Sequence, residues 1–249
     1  MLIGIDLGSR AIKLAAFRDG HPPETLVVES GYAPLQQAEA LVTRYAARRI
    51  VATGYGRHLA GTHLAAEVIT EIRAHALGAR HYQPTCDTVL DVGGQDCKVI
   101  NLDAAGRVAS FQMNDKCAAG TGRFLEIMAA TLGYTLEEFG AAALAATETT
   151  AIGSMCAVFA ESEVISLKNR GTPPEVIARA LHLSVVDRLA AMLAKAGYGS
   201  QLLFSGGAAR SPALVQFLGE RLGLALFIPS HPEVVGAVGA ALHARQMPR

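Results

Sequence analysis

LIGIDLGSRAIKLAAF (residues 2–17) and TVLDVGGQDCKVINL (residues 88–102) decide the fold. Each reads as an apolar strand, a tight turn carrying Asp and Gly, and a second strand. The second stretch repeats the plan of the first after about 85 residues, which predicts two lobes of similar architecture rather than a short-period solenoid. Between them, Leu35 to Ala47 and His58 to Leu77 read as helices, and ATGYGR (residues 52–57) reads as a strand end and a turn. The layout is mixed α/β. The expected division is a first lobe over residues 1–84, a second over residues 85–232, and a C-terminal helix over residues 233–245 packing back on the first.

Helical signals dominate downstream. Phe124, Leu125, Met128 and Leu132 follow Cys117 at helical spacing, and Val158, Phe159, Ser162, Ile165 and Ser166 follow Cys156 until Gly171 and the Pro173-Pro174 pair stop the pattern. Both cysteines are therefore expected near helix N-termini. Thr172 to Ala194 reads as a further helix. LLFSGGAARSP (residues 202–212) gives a buried strand, a Gly-Gly turn and a helix running from Ser211 to Leu222. Leu224 to Pro229 reads as a last short strand, and Pro232 to Ala244 as a closing helix rich in small residues.

Composition narrows the partners. The chain has 249 residues, of which 51% are hydrophobic and only 18% charged, as expected for a globular protein with a sizeable interface. Its 22 basic and 22 acidic residues cancel without a run of one sign, so neither nucleic acid nor an anionic membrane is expected as a partner. Asp6 interrupts any secretory apolar segment, and no uncharged apolar stretch is long enough to span a bilayer, so the expected location is cytoplasmic. Four cysteines in such a chain read as free thiols or metal ligands rather than disulfides.

Three loops could hold phosphate: Asp6-Leu7-Gly8-Ser9, Asp91-Val92-Gly93-Gly94-Gln95 and Ser205-Gly206-Gly207-Ala208. Glycine lets backbone N–H groups approach an anion, and a neighbouring carboxylate can hold magnesium through water. No GxxxxGK[ST] run is present, which excludes a P-loop, and no GxGxxG follows an expected strand. The order of loops resembles the actin, Hsp70 and sugar-kinase superfamily. That resemblance implies two RNase H-like lobes clasping ATP between two phosphate hairpins and an adenosine-side Gly-Gly turn. Asp6 and Asp91 would then position magnesium and the attacking water, with Gln95 assigned beside them to the catalytic set. Gly8, Ser9, Gly93 and Gly94 would cradle phosphates, Lys13 would add a positive charge near them, and Gly206 and Gly207 would border the adenosine.

The cysteines admit two readings. A thiolate, and an anionic cluster ligated by it, is stabilised at a helix N-terminus. A four-iron four-sulfur cluster needs four such ligands. Cys117 and Cys156 share a helix-start context, so one chain offers two ligands and a twofold dimer offers four. Lone cysteines also commonly do no more than pack, and spacing leaves both readings open. Packing is expected for Cys86, ahead of a buried strand, and for Cys97, within the next strand.

MNDKCAAGTGRFLEIMA (residues 113–129), SMCAVFAESEVISL (residues 154–167), DVGGQDCKVI (residues 91–100), ATGYGR and GAVGAALHA (residues 236–244) closely resemble the activators, or component A proteins, of (R)-2-hydroxyacyl-CoA dehydratases. The wider family also holds ATPase subunits of benzoyl-CoA reductase. The likeness runs from Leu2 to Ala244. It implies a homodimer with one four-iron four-sulfur cluster at its interface, held by Cys117 and Cys156 of each subunit. It also implies a ferredoxin or flavodoxin as electron donor. ATP binding and hydrolysis would change the angle between subunits, and one electron would pass to a CoA-ester dehydratase or reductase. Gly120, Thr121 and Gly122 gain a second meaning, as a loop that feels the nucleotide and moves the cluster ligand. The chain departs from the family pattern at Ile12, where a hydroxyl residue is common, at Glu233, where glutamine is usual near the nucleotide, and at Arg73 and Ala74, which replace a Thr-Cys pair. A small-molecule kinase of the same superfamily, which would leave the two cysteines without a role, and a non-enzymatic actin-like scaffold, which would bind ATP and survive oxygen unchanged, are the rival readings.

Overall fold

The computed structural model describes residues 1–18, 20–153 and 156–247, so Ser154 and Met155 of the second cysteine motif lie outside the described residues. The chain divides into two compact units, Met1–Val89 with Ile100–Phe111 and Pro229–Arg249, and Leu90–Val99 with Gln112–Ile228.

In the first unit, β1 (Leu2–Leu7), β2 (Ala11–Phe17), β3 (Glu24–Glu29), β4 (Arg49–Thr53) and β5 (Glu67–Val68) form a sheet in the order β3-β2-β1-β4-β5. β1 pairs antiparallel with β2, placing Asp6 opposite Lys13, and parallel with β4, placing Asp6 beside Thr53. Alternation along β1 buries Ile3, Ile5 and Leu7 with Ile12, Leu14, Leu41 and Ala52. The other face takes the C-terminal helix α9 (Val235–Gln246), which contacts β1 and also packs on α3 (Glu71–Tyr82). Ala237, Ala240 and Ala241 of α9 are fully buried, so its small residues let the helix lie close to its neighbours.

The helix expected over His58 to Leu77 is two helices, α2 (Arg57–His63) and α3, with β5 between them. The chain leaves the helical path at Ala65, whose φ is 50°, and the Glu67-Val68 pair extends to bond β4. The Thr70 side chain then accepts the Arg73 N–H and starts α3. The helix over Leu35 to Ala47 is α1 (Pro34–Val42), which ends earlier than expected.

The second sheet repeats the strand plan: β6 (Thr88–Val92), β7 (Cys97–Leu102), β8 (Val108–Asn114) and β9 (Leu202–Ser205) run in the order β8-β7-β6-β9. α4 (Gly122–Leu132), α5 (Leu136–Ala145), α6 (Ala157–Asn169), α7 (Pro174–Ala196) and α8 (Pro212–Leu222) follow. Leu90, Val92, Phe124, Met128, Phe139, Leu181, Phe204 and Phe217 belong to one buried core. Thr135 closes a capping box with Glu138 at α5, and Ser211 accepts the Leu214 N–H at α8. The strand expected over Leu224 to Pro229 reduces to a single bridge, Leu203 to Phe227. No helix among the described residues is long and apolar enough to cross a membrane.

His182 of α7 is 1% exposed against Phe139, and its Nδ1–H donates to the Ala178 carbonyl at 2.8 Å. Burial pushes its pKa down to about 4, so the ring is neutral in the folded protein. The unfolded chain titrates this ring near ~6.5 and so binds more protons than the folded one below that pH. Unfolding free energy should therefore fall by about 3 kcal/mol as pH drops from ~6.5 to ~4, through this group alone. Urea melts across that window check it. A His182→Leu variant should lose this part of the slope, and an unchanged slope contradicts the assignment.

Candidate functional site

The first hairpin lies at the C-terminal end of β1. Asp6 is 7% exposed, and its Oδ2 pairs with Lys13 Nζ at 3.1 Å across the antiparallel ladder. The turn closes through the Gly8 N–H to the Ala11 carbonyl at 3.2 Å, and Ser30 donates its hydroxyl to the Gly8 carbonyl at 2.7 Å. Ser9 is exposed at the tip. The ATGYGR loop docks on the same hairpin: the Gly56 N–H bonds the Leu7 carbonyl at 2.8 Å, and Arg57 bonds the Gly54 carbonyl at 3.1 Å. Ile12 is fully buried in the first unit's core and packs there.

The second hairpin is built the same way with a tighter charge arrangement. Asp91 is 4% exposed; its Oδ1 accepts from the Ser205 hydroxyl at 2.9 Å and its Oδ2 lies 3.3 Å from Lys98 Nζ. Lys98, with 2% of its side chain exposed, also binds Asp96 at 2.7 Å. A buried ammonium with two carboxylates fixes both acids and offsets their repulsion. The Gly93 N–H closes this turn on the Asp96 carbonyl at 2.9 Å, with Gln95 exposed at the tip. Gly206, at φ 88°, lies so close to the Val92 backbone that a Cβ could not fit; Gly207 is exposed and opens a short 3-10 turn.

Motif reading gives Lys98 and Thr53 no role and names Ser205 only as part of the third glycine loop, without its bond to Asp91. A usable signal existed, because Asp6 and Lys13 stand seven residues apart and so do Asp91 and Lys98. Glu233 sits in the turn Pro232–Val234 that leads into α9. Burial raises the Tyr82 phenol's pKa, with the Glu233 charge adding to it, which places Glu233 near the C-terminal end of α3.

Cys117 is not at a helix start: α4 begins only at Gly122, and Cys117 lies in the loop before it. The loop is held locally. Asn114 donates to the Cys117 carbonyl at 3.0 Å, and the fully buried Thr121 donates its hydroxyl to the Ala118 carbonyl at 2.6 Å. Gly120, at φ 82°, makes the turn that precedes α4. The first N–H groups of α4 bond the second hairpin, Gly122 to the Gly93 carbonyl at 2.9 Å and Arg123 to the Gly94 carbonyl at 2.8 Å. Cys156 is the N-cap residue of α6, as the sequence pattern predicts. α6 packs on α4, where Lys168 bonds the Thr131 carbonyl at 2.8 Å. Cys117 and Cys156 are exposed; Cys86 and Cys97 are buried, and burial pushes the Cys97 thiol pKa up.

Comparison with known proteins agrees with this layout. The activator of lactoyl-CoA dehydratase from Anaerotignum propionicum is 39% identical, over 97% of this chain and 96% of its own. The crystal structure of Acidaminococcus fermentans (R)-2-hydroxyglutaryl-CoA dehydratase component A matches with a TM-score of 0.90 and 35% identity, covering 97% and 96% of the two chains. The activator of 2-hydroxyisocaproyl-CoA dehydratase from Clostridium difficile, solved with bound ADPNP, matches with a TM-score of 0.87 and 32% identity, covering 100% and 98%. A ROK family glucokinase from Streptomyces griseus shares the fold alone, with 14% identity and a TM-score of 0.64 over 99% of each chain. The fold, mixed α/β with two sheets, is thus one shared with sugar-kinase structures. With the family pattern matching residues 3–244, the chain belongs to the BadF/BadG/BcrA/BcrD ATPase family.

Proposed function

We propose that this protein is an ATP-dependent one-electron donor: a homodimer that binds MgATP at the two glycine hairpins, carries one four-iron four-sulfur cluster between its subunits, and activates a CoA-ester dehydratase or reductase. One observation carries the reading: the second hairpin is hydrogen-bonded through Gly93 and Gly94 to the start of α4, directly behind the loop that bears Cys117. A phosphate that shifts this hairpin would move the start of α4 and, through the short loop before it, the Cys117 thiol.

The residues fit such a cluster. Two of the four thiols are exposed, Cys117 in the loop before α4 and Cys156 at the N-cap of α6, and the two helices pack on each other. The N–H groups of α6, a 13-residue helix, favour an anionic group at Cys156. Among the described residues no three His, Cys, Asp or Glu side chains converge on a metal position, and a four-thiolate cluster would need ligands from a second chain. Val158 and Phe159, 68% and 67% exposed just after Cys156, give apolar surface for a second subunit to cover. The cluster, when bound, supplies reversible one-electron chemistry.

The chain's own residues would do the rest. Asp6 and Asp91 would hold magnesium, Lys13 would neutralise phosphate charge, and Gly8, Ser9, Gly93 and Gly94 would offer backbone N–H groups to the phosphates. Gln95 orients the attacking water from the hairpin tip. Gly206 and Gly207 would border the adenosine, and Glu233, in the turn before α9, would contribute to nucleotide binding. Gly120 and Thr121 transmit the hairpin's position to Cys117. A ferredoxin or flavodoxin would supply the electron, in the reducing cytoplasm that exposed thiols require.

The test is electron transfer from the anaerobically reduced dimer to a low-potential viologen. Transfer should require MgATP and fail with a non-hydrolysable analogue. Equal rates with and without ATP would overturn the proposal.

A further inference from the structure

The internal repetition extends beyond the hairpins. β4 lies beside β1 as β9 lies beside β6, and each of these neighbouring strands ends on a hydroxyl residue followed by a glycine in the left-handed region. Thr53 precedes Gly54 at φ 90°, and Ser205 precedes Gly206 at φ 88°. A Cβ on Gly54 would collide with the Asp6 carboxylate, so this turn holds the end of β4 tightly against Asp6.

The two hydroxyls nonetheless differ. Ser205 donates to Asp91 Oδ1 at 2.9 Å while Lys98 takes Oδ2, so both oxygens of Asp91 are engaged. Thr53 is 0% exposed, yet its Oγ1 has no hydrogen-bond partner. It stands in register with Asp6 on the adjacent parallel strand, so strand alternation puts hydroxyl and carboxylate on one face of the sheet. A buried hydroxyl without a partner is unfavourable and rare in native proteins. The lysines differ as well: 20% of the Lys13 side chain is exposed against 2% for Lys98. Lys13 is the one an incoming phosphate can reach.

We infer that Thr53 is a positioning residue of the nucleotide site: when Lys13 turns from Asp6 to a phosphate, the Thr53 hydroxyl gives its hydrogen bond to the Asp6 carboxylate, as Ser205 already does to Asp91. Asp6 is thereby kept aimed while its charge partner moves. The inference rests on the first hairpin being the nucleotide site proposed above.

The full-length protein, Thr53→Val and Thr53→Ser are compared for thermal midpoint without nucleotide, the rise in that midpoint with saturating MgADP, and steady-state ATP hydrolysis. Thr53→Val keeps the shape and removes only the hydroxyl. Its nucleotide-free midpoint should equal or exceed that of the wild type, because no hydrogen bond is lost in that state. Its kcat should fall about tenfold with a smaller change in KM, since the lost bond is to a charged group. Thr53→Ser should recover most of the rate. Wild-type kcat in Thr53→Val, a marked drop of its nucleotide-free midpoint, or equal impairment of Thr53→Ser would each overturn the inference. A wild-type protein with no MgADP shift and no hydrolysis would overturn the nucleotide site itself, and this inference with it.

Discussion

Asp91→Asn should lower ATP hydrolysis on the order of 100-fold or more while changing stability by no more than about 1 kcal/mol. The asymmetry follows from the site. Asn keeps the size of Asp and still accepts the Ser205 hydroxyl, which lies 2.9 Å from Asp91 Oδ1. Lys98 keeps Asp96 at 2.7 Å as a charge partner. What disappears is the negative charge proposed to hold magnesium and water. Lys98→Met should behave in the opposite sense. It withdraws the ammonium from an Asp91 side chain that is only 5% exposed, and breaking a buried pair in this way costs about 3–5 kcal/mol. Phosphate release and urea melts on both variants separate chemistry from stability. Near wild-type turnover in Asp91→Asn would exclude this carboxylate from the reaction.

Cys117→Ser and Cys156→Ser should each abolish ATP-driven electron donation, the largest functional loss expected from any single substitution outside the hairpins. A serine hydroxyl is a poor substitute for thiolate toward iron, and in a twofold dimer each substitution removes two of the four ligands at once. MgADP binding should survive in both, because the α4 N–H groups bond Gly93 and Gly94 through main chain, which the substitutions leave in place. Cys97→Ser is the control. Its sulfur is buried beside Met192 Sδ at 3.6 Å, so that variant should lose stability, by about 1–3 kcal/mol, rather than iron. Iron lost equally from all cysteine variants would contradict the assignment of ligands.

The repeat of strand, turn and strand was legible because it is local: period-two alternation around Ile3, Ile5 and Leu7 needs no tertiary contact to be read. The hidden parts depend on pairing between distant segments. Ser205 reaches Asp91 across 114 positions of chain, and no spacing rule announces that. Thr53 became visible only once β4 stood in parallel register with β1. Lys98 was readable through its seven-residue interval to Asp91 but is masked by lying in an apolar strand. The helix start after Cys117 was placed too early because Phe124, Leu125 and Met128 fix a helical face without marking where the first turn begins, and the Gly120-Thr121 turn delays it to Gly122. His58 to Leu77 misled for a similar reason, since Ala65 adopts a positive φ that alanine rarely takes.

The proposed cluster is shared by two copies of this chain and coupled to ATP. Iron and acid-labile sulfide per dimer, measured on anaerobically purified and reconstituted protein of determined mass together with its visible and EPR spectra, test it most directly. About four irons per dimer and a reduced-state EPR signal that changes when MgATP is added are expected. A colourless protein, substantially fewer irons per dimer, or an unaltered signal in Cys117→Ser and Cys156→Ser would contradict it.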